Sequence, residues 1–407
     1  MSIHLTSKAA TLLQHLCVDI DSRRVGSAGN RQATALFASA AAACGFAVEQ
    51  PVFDCMDWVE EGVDLTVDGA AFDALASPYS LGCRVHAPLA VVSTVEDLAQ
   101  AEVAGQVLLL HGALAQEQLM PKNFTFYNPE HHQRIVALLE QKAPAAIIAA
   151  TGHNPELAGA VYPFPLIEDG DFDIPSVYMT DVEGARLAAC AGREVSLHSR
   201  AWRIPSTGCN VMARKGDPRR RVVFFAHIDA KAGTPGAIDN ASGVVILLLL
   251  AELLTDYAGK LGAEIVALNG EDYYAASGEM QWLSMNQGRM DQIVLGVNMD
   301  GVGYRLGKTA FSLYSCPAEI EQAIRAELAP HAGMVEGGPW YQSDHSLFVY
   351  NGVPALAFTS DHFVELWTEI AHTARDLPEI VDPGRLAAVA EALHALLLRL
   401  ERQAGGR

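Results

Sequence analysis

Five short stretches of this chain end in residues that hold cations or move protons. FFAHIDA supplies His227 and, two residues on, Asp229. A neutral imidazole suits zinc, and its second nitrogen needs an acceptor that fixes the tautomer, a part open to Asp229. GTPGAIDNASG places Asp239 and Asn240 directly before a hydrophobic run, with Pro235, Gly236 and Gly243 crowding the turn. A helix cap would account for the aspartate, but glycines on both sides suit close backbone approach around a ligand. A carboxylate there could bridge two cations, one through each oxygen. ALNGEDYY sets Glu271 and Asp272 side by side after an apolar stretch. One carboxylate can then bind metal while its neighbour takes a proton from water, which reads Glu271 as general base and Asp272 as ligand. VNMDGVGY and EIAHTARD add Asp300 and His372. Singly, each has an ordinary explanation: a strand cap, a solvated acid, a turn former. Together they form a nitrogen and oxygen donor set without thiolate, which fits zinc, with manganese or cobalt as substitutes.

The elements that carry these residues read as alternating strands and helices. RVVFFA, AEIVAL, QIVLGVNM and PALAFT are apolar runs of strand length, and residues 243–254 and 383–402 have helical character. That alternation predicts an α/β fold with a mixed, mostly parallel sheet and helices on both faces. The polar residues follow the strands, where open α/β sheets bind ligands. Residues 8–46 read as two helices separated by the Gly-containing break RRVGSAGN. Residues 58–205 have a different grammar, with VAGQVLLLHG, a helix near 133–141, PAAIIAATG and DIPSVYMT, and read as a smaller α/β module inserted into a catalytic domain formed by 1–57 and 206–407.

Composition narrows the partners. The 407 residues carry a formal charge of −20, with no basic face bearing aromatics, which argues against nucleic acid. The start, MSIHLTSKAATLLQHLC, lacks the pattern of a secretory signal, and the longest apolar run, 244–251, is too short to span a bilayer. Seven scattered cysteines with no C-x-x-C pair suit a reducing compartment, so a soluble, cytoplasmic protein is expected, without membrane association. A homo-oligomer is left open.

In this order, the five stretches resemble the di-zinc exopeptidase family of bacterial leucyl aminopeptidases, glutamate carboxypeptidase and the related glutaminyl cyclases. The resemblance covers about 210–382 and the N-terminal helices. It implies two zinc ions: His227 and Asp300 on one, Asp272 and His372 on the other, Asp239 between them, Asp229 behind the first histidine and Glu271 as base. It implies hydrolysis of a peptide or small amide, with release of N-terminal residues as the expected activity. A carboxypeptidase, a small-molecule amide hydrolase and a glutaminyl cyclase-like acyltransferase are the alternatives. Residues 58–205 resemble the protease-associated insert of such enzymes. YQSDHSLF also resembles a family segment, which implies that Tyr341, Ser343, Asp344 and His345 line the substrate pocket or support the ligands. Two positions depart from the family: Asp272 stands where glutamate is usual, and Ala371 where several relatives have a tyrosine that stabilises the oxyanion. Tyr341, Tyr273 and Tyr274 are the substitutes that chemistry suggests.

Overall fold

The computed structural model describes residues 2–153 and 160–405. Its contacts divide the chain into two compact units, Met1–Cys55 with Thr207–Arg407, and Met56–Ser206.

The first unit is built on an eight-stranded mixed sheet. Its order is Ala47–Glu49, Val211–Lys215, Gly262–Leu268, Arg221–His227, Ile293–Met299, Ala355–Ser360, Thr309–Tyr314 and Met334–Glu336. The four central strands, from Gly262–Leu268 to Ala355–Ser360, run parallel, while antiparallel pairing enters on both flanks. Every residue of Arg221–His227 and of Gly262–Leu268 is buried, as a strand covered on both faces requires. The one acid inside them, Glu264, is held by Arg221 at 2.6 Å and Arg214 at 3.0 Å, pairing that a buried charge needs. From Arg221–His227 the chain crosses first to the neighbour on one side and then, with Ile293–Met299, to the other. That reversal opens a crevice at the carboxyl ends of these strands.

Helix Ser242–Leu253 is apolar nearly all round and buried along its length, the signature of a central helix. It packs against the C-terminal helix Pro383–Gly405 and the N-terminal helix Ser2–Gln14, in one core with the sheet. The second N-terminal helix, Ala28–Ala43, starts where the Ser27 hydroxyl accepts the Asn30 amide at 3.0 Å, a regular N-cap. Two helices with a break between them were expected here. The strands Val211–Lys215 and Thr309–Tyr314 and the helix Ala318–Leu328 were not.

The second unit has its own eight-stranded mixed sheet: Ala70–Phe72, Val52–Val67, Glu194–Cys209, Cys83–Val92, Val107–Leu110, Ala146–Thr151, Ser176–Thr180 and Leu75–Ala76. The parallel strands from Cys83–Val92 to Ser176–Thr180 contain the three apolar segments read from sequence. Helices Val95–Gln100, Glu130–Lys142 and Asp181–Ala188 accompany them, and two hydrophobic clusters fill the unit. Among the described residues no helix is long and apolar enough to cross a membrane, and none of the seven cysteines forms a disulfide.

Candidate metal centre

The crevice gathers all six of the residues singled out as ligands or base. His227 closes its strand, Asp239 lies in the turn Ala237–Ala241 that leads into the central helix, Glu271 and Asp272 follow Leu268, and Asp300 follows Met299. His372 comes from the loop after helix Phe363–Glu369 and has left-handed backbone, φ 63°. A non-glycine residue there costs on the order of 1–3 kcal/mol, which the surrounding structure must offset.

Two groups share one carboxylate. Asp239 places Oδ1 3.1 Å from His227 Nε2 and Oδ2 3.1 Å from His372 Nε2. Asp300 Oδ1 lies 3.8 Å from His227 Nε2, and Asp272 Oδ1 3.1 Å from His372 Nε2. His227, Asp239 and Asp300 thus form one triad, and Asp239, Asp272 and His372 the other, each compact enough for a single ion. His227 Nε2, the Oδ2 atoms of Asp239 and Asp272, and Asp300 Oδ1 are buried without a hydrogen-bond partner. Buried polar atoms are normally satisfied; orphaned nitrogen and oxygen atoms this close together are what a set of cation ligands presents. The imidazole and carboxylate set fits zinc.

The electrostatics agree. Burial opposes charging His227, yet Glu271, Asp229, Asp239 and Asp300 together raise its pKa well above the usual histidine value. His372 is raised likewise, against burial, by Asp272 and Asp239. For Asp239, burial is outweighed by the two imidazoles, which lower it. Protons on the histidines stand in here for the positive charge that a metal would bring, since a ligating imidazole must be neutral.

Glu271 is the acid left over. It reaches within 4.0 Å of His227 Nε2 and keeps 24 % of its side chain exposed. Burial raises its pKa well above the carboxylate range, His227 pulls it down, and Asp272, Asp344 and Asp300 add to the rise; solvent at the exposed edge screens part of this.

Behind these residues lies a layer of orienting groups. Asp229, just past the strand end, accepts the amides of Gly270 at 2.8 Å and Asp272 at 3.0 Å, and lies 3.8 Å from His227 Nδ1. It ties the first histidine to the Glu271–Asp272 turn. Asn298 donates to Ser343 Oγ at 2.9 Å, which donates to Asp300 Oδ2 at 2.7 Å, leaving Oδ1 for the cation. Asp376 accepts the amides of Ile238 at 2.7 Å and Asp239 at 3.1 Å, and Asn240 donates to the Met299 carbonyl at 2.8 Å. The Asp239–Asn240 peptide is cis. Asn298, Asp376 and Asn240 had no assigned part in the sequence reading. The available signal was a polar residue inside or beside an apolar strand, as in VLGVNMD.

The residues of YQSDHSLF divide. Ser343 supports Asp300, and Tyr341 is half exposed. Asp344 and His345 have no exposed surface, so neither lines a substrate pocket. Nor does Asp344 cap the following helix, since its side chain makes no capping bond. Burial, opposed by His227 and reinforced by Asp300 and Asp229, pushes Asp344 up to about 7. Ala371 is buried, as are Tyr273 and Tyr274, so among the suggested phenols Tyr341 alone has substantial surface. Asp272 reaches His372 despite its shorter side chain. A run of ring contacts, Trp340 to Phe363 at 5.4 Å, Phe363 to Trp367 at 5.7 Å and Trp367 to His372 at 6.0 Å, forms an aromatic wall beside the second triad.

A further group, Glu117 with His131 and His132, lies in the second unit. There Met120 N–H donates to His132 Nδ1 at 3.2 Å. A neutral ring then carries its proton on Nε2, 3.1 Å from Glu117 Oε1, with no lone pair for a metal. We read it as a histidine–carboxylate cluster of the second unit.

Residues 210–397 match peptidase family M28. That segment holds all five ligand positions and Glu271. The match spans just under half of the chain. The chain is 24 % identical over 323 residues to the probable leucine aminopeptidase 2 of Aspergillus fumigatus, 73 % of this chain and 60 % of that protein. It is 26 % identical over 187 residues to the Aspergillus oryzae protein of the same name, 42 % of this chain and 37 % of that one. It therefore spans less than two thirds of the length of either relative. Among solved structures, it resembles the aminopeptidase of Aneurinibacillus sp. strain AM-1, with TM-score 0.73, 19 % identity, and 97 % and 93 % of the two chains covered. It also resembles BSAP, a zinc aminopeptidase from Bacillus subtilis, with TM-score 0.74, 19 % identity, and 97 % and 94 % covered. These likenesses bear out the mixed α/β fold expected from sequence.

Proposed function

We propose that this chain is a co-catalytic two-zinc aminopeptidase. The observation that carries the reading is Asp239, one oxygen toward each of two imidazoles, with a second carboxylate completing each triad. His227, Asp239 and Asp300 would hold one ion, and Asp239, Asp272 and His372 the other. When bound, zinc supplies Lewis acidity and brings water to a pKa of about 7. Glu271, within 4.0 Å of His227 Nε2 and partly exposed, would take a proton from water at its carboxylate and return it to the leaving amine. Asp229, Ser343 and Asp376 hold the ligands in place and exchange no protons with substrate. Tyr341 is the phenol available to the oxyanion in place of the tyrosine absent at position 371.

The aromatic wall beside His372 supports a preference for large apolar side chains at the residue released, in keeping with relatives named leucine aminopeptidases. A carboxypeptidase needs a cation for the free substrate carboxylate, but Arg305 is bound to the Glu379 carbonyl and Arg375 lies 3.6 Å from Glu369. The second unit, as a protease-associated-like insert, and a cytoplasmic location, supported by seven cysteines that form no disulfide, are further parts of the proposal.

The test is metal analysis with a substrate panel. Two zinc per chain, and chelator-sensitive cleavage of free but not N-blocked aminoacyl amides, is the expected result. Full activity in metal-free protein would refute the metal reading, and equal cleavage of N-blocked substrates the aminopeptidase reading.

A further inference from the structure

The turn between the two N-terminal helices lies some two hundred residues from the ligand loops in sequence, yet it touches the backbone of one and the supporting asparagine of the other. Arg23 is buried. Its guanidinium donates to the carbonyls of Leu16 at 2.7 Å, Ile228 at 3.0 Å, Pro235 at 2.8 Å and Gly236 at 2.7 Å. Ile228 directly follows His227, while Pro235 and Gly236 precede Asp239 by four and three residues. One planar fork therefore fixes the separation between the two ends of the loop joining the first histidine to the shared carboxylate. Gly236 has φ +60°, and a Cβ there would lie 2.7 Å from Arg23 Nη2. Glycine and guanidinium are matched.

Asn30, seven residues on, does the same for the other loop. Its Nδ2 donates to the Arg23 carbonyl at 2.8 Å and to Asn269 Oδ1 at 2.8 Å, and Asn269 Nδ2 donates back to Asn30 Oδ1 at 2.9 Å. Asn269 is pinned again through its amide to Asn210 Oδ1 at 2.9 Å. Gly270, Glu271 and Asp272 follow directly.

We infer that the Arg23–Asn30 turn is a brace that sets the spacing of the two ligand loops, with Arg23 and Asn30 as positioning residues for Asp239 and for the Glu271–Asp272 pair. As a statement about metal ligands, this rests on the two-zinc reading. As a statement about the loops, it does not.

The experiment uses the full chain as wild type, Arg23→Lys, Asn30→Asp and Phe37→Leu. The last removes core volume from the same N-terminal segment without touching the polar brace. Each is compared for zinc affinity by chelator competition, for the visible spectrum of the cobalt-loaded form, and for amide hydrogen exchange without metal. Lysine cannot span four carbonyls, and aspartate turns the donor facing Asn269 Oδ1 into an acceptor. Both are expected to weaken zinc binding by roughly 10–100-fold, to change the cobalt spectrum, and to lose exchange protection at Ile238, Asp239, Gly270 and Asp272. Phe37→Leu is expected to lower the melting temperature and leave all three unchanged. Should Arg23→Lys not fold, Asn30→Ser, which removes only the amide pair, decides. Wild-type affinity, spectrum and exchange in the brace variants would overturn the inference. Altered exchange in a chain that binds no zinc even as wild type would uphold the brace and refute the metal reading instead.

Discussion

Gly243→Ala is expected to damage the centre from behind. Gly243 lies where the central helix meets the strand end that carries Asp300. A Cβ built there lies 2.4 Å from the Met299 carbonyl oxygen, 2.5 Å from Asn240 Oδ1 and 2.8 Å from the Ala226 Cβ. None is the free end of a flexible side chain, and Asn240 is already committed, receiving the Gly243 amide at 3.1 Å and donating to Met299 at 2.8 Å. Overpacking a rigid contact costs about 1–3 kcal/mol, and losing the Asn240 bond adds about 0.5–1.5 kcal/mol. The sum, about 2–4 kcal/mol, corresponds to roughly 5–15 °C in melting temperature for a unit of this size. The wedge also separates Asp239 from Asp300, so zinc affinity should fall with stability. Urea and thermal melts, with chelator competition, measure both. Gly333→Ala is the control, because a Cβ there meets no heavy atom within 4 Å. Stability within about 0.5 kcal/mol of wild type for Gly243→Ala would show that the contact yields, and the reasoning would fail.

Glu271→Gln is expected to keep fold and metal content while kcat falls by about 10²–10⁴; retained turnover would remove Glu271 from the proton transfer. Ser343→Ala frees Asp300 Oδ2 and should weaken zinc binding by roughly tenfold with little change in melting temperature, which a titration with chelator would detect. Asp272→Glu should not improve the site. The shorter acid is buried and already within 3.1 Å of His372, so the added methylene should cost about 1–3 kcal/mol in a urea melt. His345 gives a pH test. Burial, only partly offset by its bond to the Trp340 carbonyl, lowers its pKa to about 4. Between about 6.5 and 4 the unfolded chain binds a proton that the folded chain refuses, so this contribution is intact above 6.5 and is lost as pH falls toward 4. At about 1.4 kcal/mol per pH unit the difference approaches 3 kcal/mol. His345→Phe should therefore lose less stability than wild type between pH 7 and 4, and parallel curves would contradict the assignment.

Most of the candidate site residues were legible because they end or directly follow an apolar strand, where periodicity, glycine and charge change together. FFAH, VALNGED and VNMD show this plainly. His372 was readable from its place before the final helix. The orienting layer was not. Asp376, Asn298 and Asn30 are polar residues in stretches that also suit a surface, and only tertiary packing makes them buried and paired. The same limit hid the strands Val52–Val67 and Glu194–Cys209, whose mixed burial lacks a clean period of two, and which include Gly62 and Pro205 within their length. Asp344 misled for a related reason. Its segment reads as a pocket lining or a support for the ligands, and nothing local reveals that the core has closed over it.

The Asn30 and Asn269 amides meet across 239 positions of chain, and the Asp239 amide meets Asp376 across 137. A chain emerging from the ribosome therefore has the Arg23–Asn30 brace, the first histidine, the shared aspartate and Glu271 about a hundred residues before it has His372 and Asp376. Such long-range closure comes late in folding. On the two-zinc reading, hydrolytic competence is thus deferred until synthesis has passed His372.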